Sequence, residues 1–150
     1  MGDYLKELRK KVGHAPLILP HSVVLVINNQ NEILLEERSD DGFFDFPGGG
    51  IDLKETAEEA AARELKEETG LIANRLELFK VYTGEITHYV YFNGDEIYGV
   101  DTIYICRDYK GELKPQLEEV KRLFFCSLDA MPEKMSPRNK QIIIDLKSQK

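Results

Sequence analysis

The sequence predicts an α/β domain in which one mixed sheet is flanked by helices. Two patterns support this class. Short runs rich in valine, isoleucine and tyrosine recur along the chain, and apolar residues have helical spacing near its start, middle and end. The 150 residues, of which 42% are hydrophobic, contain no repeat, low-complexity tract or linker. We therefore expect residues 1–150 to form a single domain around one core.

Helices are predicted near both ends of the chain and in its middle. Four apolar residues near the start have the spacing of an amphipathic helix: Tyr4, Leu5, Leu8 and Val12. The closing helix, from about Pro137 to Lys147, has a proline in its first turn, where the missing N–H costs no hydrogen bond. The middle helix should begin near Asp52 or Lys54 and end at Thr69-Gly70, because glycine often follows the last turn of a helix.

Strands are predicted where extended apolar runs end at turn residues. The first two, Ser22–Ile27 and Glu32–Glu37, are separated by four polar residues, Asn28–Asn31, which predict a hairpin turn. Further strands are expected at residues 75–82, 88–91, 97–106 and 122–127. A turn at Asn93-Gly94 would join the second and third of these. We expect these strands to form the mixed sheet.

The most informative stretch of the chain begins at Gly49 and reads GGIDLKETAEEAAARELKEETGL. Within it Glu64, Glu67 and Glu68 are spaced i, i+3 and i+4, so a helix places their carboxylates on one face. Hard oxygen ligands grouped in this way suit Mg²⁺ or Mn²⁺. Three glycines at positions 48–50 precede the helix, where backbone can approach a metal or phosphate without a Cβ in the way. The alternative is a solvated, glutamate-rich helix face.

The stretch resembles the signature of the Nudix hydrolases, a family that acts on nucleoside diphosphates linked to another moiety. The match comprises every defined position, Gly49-x5-Glu55-x7-Arg63-Glu64-Leu65-x-Glu67-Glu68-x-Gly70-Leu71. Chance would produce such a match on the order of once in a million chains or more rarely, which disfavours the solvated face. The weaker resemblance over about residues 20–130 implies an α/β/α sandwich with a central mixed sheet. It also implies a Mg²⁺-dependent hydrolase, with Mn²⁺ as a substitute, that cleaves a pyrophosphate bond.

The resemblance further implies roles for individual residues. Glu67 and Glu68 would be the main metal ligands, and the carbonyl of Gly48 would complete the metal shell. Glu64 would be a further ligand, or it would orient and deprotonate the attacking water. Arg63 would hold a catalytic glutamate in its rotamer.

Three points about these residues stay open. Arg63 has a structural interpretation as well, as a partner of Glu59 or Glu67 one helical turn away. The family often draws a further base or ligand from a late loop, where Glu118 and Glu119 are the candidates, and we favour Glu118 over an exposed acidic turn. The general base is therefore undecided among Glu64, Glu118 and Glu119, and the number of metals is undecided too.

The substrate class is also open. Arg38, at the end of a strand that faces the glycine run, is a candidate for phosphate contact. Phe44 and Gly49 are the other candidate substrate-binding residues, although the ring of Phe44 could equally anchor its loop. The chain lacks the threonine and second arginine of the coenzyme A-cleaving pattern, and Glu85–Thr87 occupies the region where many ADP-ribose-cleaving members carry a proline. Tyr89 lies near a tyrosine of the dinucleoside-polyphosphate members, which is weak support for that class.

Charge and composition restrict the partners. The net charge of −7, from 27 acidic and 20 basic residues, argues against a protein that grips a nucleic-acid polymer. A small nucleotide substrate remains compatible, because a cation held by carboxylates inverts the local field. We expect no membrane segment and no signal peptide, hence a cytoplasmic protein in which Cys106 and Cys126 are buried free thiols. The apolar N-terminal helix could serve a homodimer.

A second function class is a catalytically silent Nudix-like module that binds a nucleotide and regulates another process. Such modules commonly lose one of the signature acids. All of these acids are present in this chain, so we favour the enzyme.

Overall fold

The computed structural model describes residues 3–149. Helices α1, α2 and α3 span Asp3–Val12, Ala57–Thr69 and Pro137–Ser148. The strands are β1 (Leu17–Val26), β2 (Glu32–Arg38), β3 (Phe44–Asp45), β4 (Gly48–Gly50), β5 (Ile72–Tyr82), β6 (His88–Val90), β7 (Glu96–Lys110) and β8 (Val120–Ser127). Short 3₁₀ turns lie at Gly84–Thr87 and Leu128–Ala130. The two terminal helices therefore form where the sequence predicts them. Neither they nor α2 has the length and apolarity that a membrane crossing requires.

The central sheet is mixed, as predicted. Its strand order is β4-β1-β7-β5, with β6 also paired to β7. Strands β1 and β7 run parallel from the Leu17–Ile97 pair to the Val26–Cys106 pair, and the other pairings in this sheet are antiparallel. A second, antiparallel sheet with the order β3-β2-β8 accompanies it. The sequence pattern did not separate these three strands from the rest.

The predicted turn between β1 and β2 forms, but the two strands do not pair as a hairpin beyond it. Ile27 and Ile33 make one antiparallel bridge, after which the two strands enter different sheets. The turn is held by the side-chain oxygen of Asn28, which accepts hydrogen bonds from the main-chain N–H groups of Gln30 and Glu32. One edge of β1 is paired to β7 along the whole strand, and the other edge is paired to β4 at His21–Val23.

Helices α2 and α3 cover opposite faces of the central sheet. Side chains alternate along a strand, and in β1 Val23 and Leu25 pack in the core cluster that contains the buried side of α3. Val24 and Val26 pack in a second cluster with Ala61 and Leu65 of α2. The buried residues of α3 include the three predicted ones, Ile142, Ile143 and Leu146. The predicted α/β/α architecture is confirmed.

The start of α2 differs from the prediction, whereas its end does not. Lys54 has a φ of 68°, which no α-helix accommodates, and the first helical residue is Ala57. Thr56 caps the helix: its hydroxyl accepts a hydrogen bond from the Glu59 N–H at 3.0 Å. The Glu59 carboxylate accepts one from the Thr56 N–H at 3.0 Å, which completes a capping box. Gly70 ends the helix with a φ of 80°.

Replacing Thr56 with alanine is expected to destabilise the protein by about 1 kcal/mol, because one N–H at the start of α2 loses its acceptor. For a chain of this size the melting temperature should fall by roughly 2–4 °C in a thermal denaturation experiment. Thr83→Ala is the matched control, since Thr83 precedes a 3₁₀ turn without making a side-chain cap. Equal melting temperatures for the two variants would contradict a stabilising role of the Thr56 cap.

Candidate functional site

A cleft of two adjoining cavities lies where β4 meets α2 and β2. Their volumes are about 400 and 170 Å³. Residues that line both cavities are His21, Arg38, Asp45, Gly48, Gly49 and Tyr91. We call the larger the acidic cavity, since it alone is lined by Glu36, Glu64, Glu68, Glu118 and Glu119. We call the smaller the aromatic cavity, since it alone is lined by His88, Tyr89, Asp101 and Arg138, among others.

Two of the three clustered acids of α2, Glu64 and Glu68 but not Glu67, line the acidic cavity. Glu64 and Glu68 are 5% and 8% exposed, although both are charged residues at neutral pH in water. An oxygen of Glu68, Oε2, accepts a hydrogen bond from the Gly48 N–H at 3.0 Å, which ties α2 to the glycine run. The third acid, Glu67, is half exposed and does not line the cavity.

Arg63 connects the loop before α2 to one of these acids. Its Nε and Nη2 donate to the two carboxylate oxygens of Glu55 at 2.6 and 2.9 Å, a bidentate pair. Its Nη1 lies 3.0 Å from Oε1 of Glu64, and its Nη2 donates to the carbonyl of Gly50 at 3.0 Å. Contact with Glu67 is longer, at 3.4 Å. The alternative pairing with Glu59 is wrong, because that side chain caps the helix. Arg63 thus restricts the carboxylate of Glu64.

A further carboxylate, which the sequence analysis missed, enters the acidic cavity from β2. Glu36 is 5% exposed, and among residues 3–149 its Oε2 is buried without a hydrogen-bond partner. Burial, to which the charge of Asp45 adds, raises the pKa of Glu36 to about 8. Burial and then the charge of Glu36 hold the pKa of Glu68 well above its ordinary value. Burial also raises the pKa of Glu64, against the effect of Arg63. All three shifts have the sign expected of carboxylates that are removed from water.

The glycine run approaches the acids closely. A Cβ at position 49 would lie 2.5 Å from the carboxyl carbon of Glu64, and one at position 48 would lie 2.5 Å from the carbonyl oxygen of Ser22. Both distances are shorter than any van der Waals contact permits. Gly48 and Gly49 are therefore needed for this packing, at the place where the sequence predicted a close backbone approach.

The donors in the acidic cavity fit a divalent cation of the magnesium type. Within residues 3–149 no three acidic, histidine or cysteine side chains enclose an ion by themselves. Mg²⁺ usually takes one or two carboxylates and completes its octahedron with water and substrate phosphate. The buried, partnerless oxygen of Glu36 and the adjacent carboxylate of Glu68 are donors of that kind. The candidate loop residues Glu118 and Glu119 line the same cavity from an exposed position.

The candidate substrate residues fall in two different places. Arg38 lines both cavities, where its Nε and Nη2 donate to the carboxylate of Asp40 at 3.0 and 2.7 Å. Its guanidinium carbon lies 5.7 Å from the centre of the Tyr89 ring. Phe44 lines neither cavity and packs edge-to-face on Phe124, with ring centres 5.7 Å apart. The ring of Phe44 thus anchors its loop in this arrangement.

A buried polar network forms the inner wall of the aromatic cavity. Asp101, 2% exposed, lies 2.9 Å from Nδ1 of His21 and accepts a hydrogen bond from Nη1 of Arg138 at 3.0 Å. Burial alone would raise the pKa of Asp101, but His21 and Arg138 hold it below its ordinary value. Asn139 donates to Asp45 at 2.7 Å in the same wall. The sequence signal for this network was weak: Asp101 is one acid within a mainly apolar stretch of β7.

Known proteins resemble this chain in sequence and in fold. The NUDIX domain family model matches residues 19–146. An ADP-ribose pyrophosphatase of Methanocaldococcus jannaschii is 46% identical over 61 residues, 39% of this chain and 36% of that protein. An 8-oxo-dGTP diphosphatase of Escherichia coli is 38% identical over 63 residues, 39% of this chain and 49% of that protein. These matches span about a third to a half of the length of the relatives.

A solved structure extends the resemblance to the fold. The crystal structure of a MutT NUDIX hydrolase from Burkholderia pseudomallei has a TM-score of 0.73 at 22% identity, and the match covers 86% of this chain and 98% of that one. At this identity the likeness concerns the fold alone, and it agrees with the α/β/α arrangement described above. With a family model that matches most of its length, the chain belongs to the Nudix family.

Proposed function

We propose that this protein is a divalent-metal-dependent hydrolase that cleaves a pyrophosphate bond in a nucleoside di- or triphosphate derivative. The observation that carries the proposal is the pair of buried carboxylates, Glu64 and Glu68, packed against Gly48 and Gly49 in an open cleft. Carboxylates are buried together in this way where a cation and its phosphate ligand offset their charge. We further propose that residues 1–150 act as one domain.

The carboxylates of Glu67 and Glu68 and the main-chain carbonyl of Gly48 would hold the metal, and Glu64 would be a further ligand if another residue serves as the base. Mg²⁺, or Mn²⁺ in its place, would neutralise charge on the phosphate oxygens as the bond breaks. Glu67 would have to turn inward from its half-exposed position, where it lies 3.4 Å from Arg63. That contact is exposed and weak, so it opposes such a movement little.

The protein's own groups would position the water and the substrate. Glu64 is the proposed general base, and Arg63 orients its carboxylate through the 3.0 Å contact. Glu118, on the rim of the acidic cavity, is the second candidate for the base. Arg38 would contact phosphate from the boundary of the two cavities. Tyr89 and Tyr91, which pack edge-to-face beside it, would offer an aromatic surface to a base.

The substrate panel should be broad because the relatives differ in the substrates that they are named for, ADP-ribose and 8-oxo-dGTP. It comprises nucleoside triphosphates with oxidised ones included, ADP-ribose, nucleotide sugars, dinucleoside polyphosphates and dinucleotide cofactors. Each is incubated with the protein and Mg²⁺, and the products are identified. We expect turnover of at least one class, and loss of that turnover when Mg²⁺ is chelated.

The same screen is run on Glu68→Gln, for which we expect turnover to fall by at least roughly a hundredfold, because even a residue that only supports a metal ligand is worth about 10- to 100-fold. Glu58→Gln is the matched control, because Glu58 is an exposed glutamate of the same helix that lines neither cavity. Comparable loss in both variants would argue against a specific role of Glu68. If the folded wild-type protein binds Mg²⁺ and hydrolyses nothing in the panel, the chain is instead a nucleotide-binding module.

A further inference from the structure

We propose that Glu36 is an additional ligand of the divalent cation, supplied by the second sheet and lying outside the signature helix. The inference rests on the proposed function, since it concerns the same acidic cavity. It adds a donor from β2 to those expected from α2 and from the glycine run. The metal would then join the two sheets at the acidic cavity, in addition to the contacts of Arg138 with Asp45 and Asp101 at the aromatic cavity.

The position of Glu36 is unusual for a carboxylate. It follows Ile33, Leu34 and Leu35, which are all fully buried. Because strand residues alternate between faces, Glu36 shares the face of Leu34, which packs in the cluster beneath α2. An apolar side chain at position 36 would continue that cluster. A carboxylate there loses its hydration, and such a loss needs compensation from a partner.

The neighbouring charges do not provide this compensation. Three acidic residues face Glu36: Asp45 opposite it in β3, Glu68 on α2 and Glu119 in the late loop. Within residues 3–149 the cation that acts on it most is Arg38, whose guanidinium is engaged by the carboxylate of Asp40. Oε2 of Glu36 has no hydrogen-bond partner in the described part of the chain. A divalent cation between Glu36 and Glu68 would satisfy this oxygen and reverse the repulsion.

The adjacent glutamate shows what an ordinary carboxylate of this strand does. Glu37 points to the other face, where it accepts a hydrogen bond from Arg122 at 2.7 Å and pairs with Lys121 at 3.4 Å. It lines neither cavity. Glu37 is therefore the matched control, with the same chemistry one residue away.

The test measures Mn²⁺ binding without substrate, by the electron paramagnetic resonance signal of free Mn²⁺ in a titration. We expect Glu36→Gln to raise the Kd for Mn²⁺ at least tenfold, and Glu37→Gln to leave it within about twofold of wild type. Glu68→Gln tests the metal site of the proposed function independently of Glu36, and it should also raise the Kd for Mn²⁺. Thermal denaturation of each metal-free variant establishes that it is folded.

Glu36→Leu is the second variant, because leucine continues the buried run of β2 and should fold at least as well as wild type. We expect it to weaken Mn²⁺ binding as Glu36→Gln does. Unchanged or tighter binding in both Glu36 variants, with weaker binding in Glu68→Gln, would overturn the inference and leave the proposed function intact. In that case Glu36 and Glu68 merely share a proton. Unchanged binding in all variants would count against the proposed metal site itself.

Discussion

Replacing Glu64 with glutamine is expected to lower turnover by roughly 10²–10⁴-fold, the usual contribution of a general base. The amide keeps the size of the side chain but cannot accept a proton from water. Substrate affinity should change little, because binding depends mainly on the other metal ligands and on phosphate contacts. Steady-state kinetics on the best substrate of the panel would therefore show a lower kcat at nearly constant KM.

In Glu64→Gln we expect turnover to fall without a loss of stability. Burial raises the pKa of Glu64, so the fold gains nothing from its negative charge, and a neutral amide at the same place should leave the melting temperature unchanged or slightly higher. Glu118→Gln is the informative comparison, since that residue is the other candidate base and lies exposed on the cavity rim. If Glu64→Gln kept more than about a third of the wild-type kcat, the general base would have to be another residue.

Local sequence patterns were sufficient to predict the acidic face and the end of α2. The spacing of Glu64, Glu67 and Glu68 and the glycine after the last turn determine its face and its end, and Gly70 adopts the positive φ that this position requires. The start was predicted too early although Thr56-x-x-Glu59 is a capping-box pattern. The apolar spacing of the helix does not show where the preceding loop ends. The capping box at Thr56 and Glu59 does show it.

Residues whose partners are distant in sequence could not be predicted in the same way. Glu36 meets Glu68, and Asp101 meets His21 and Arg138, only after the sheets and α3 are assembled. In the sequence Glu36 is one of two adjacent glutamates after an apolar run, and Asp101 is one acid within a mainly apolar stretch. Both patterns are equally typical of a strand that reaches the surface. The division into two sheets depends on distant pairings too, because β1 pairs with the distant strand β7 along its whole length and β2 pairs with the distant strand β8.

Replacing Gly49 with alanine is expected to lower turnover by about a hundredfold while the protein stays folded. The new Cβ would lie 2.5 Å from the carboxyl carbon and Oε1 of Glu64. These atoms are the end of a flexible side chain, so the carboxylate can move away at little cost to stability. A displacement of about 1 Å suffices for a loss of this size when geometry controls the rate. Kinetics and thermal denaturation of the same preparation would measure both quantities.

Gly48→Ala is the comparison variant, because its new Cβ would displace the main chain of β1 and not the carboxylate of Glu64. Its Cβ would lie 2.5 Å from the carbonyl oxygen of Ser22 and 2.9 Å from the Cα of Val23, both main-chain atoms of the paired strand β1. Because main-chain atoms cannot rotate aside, the β1–β4 pairing must shift, and we expect a loss of about 1–3 kcal/mol, as for overpacked cores. The two adjacent alanines should thus differ in melting temperature, with Gly48→Ala the lower. If Gly49→Ala retained full turnover, the carboxylate of Glu64 would not be required at its present position, and the base would have to be sought on the late loop.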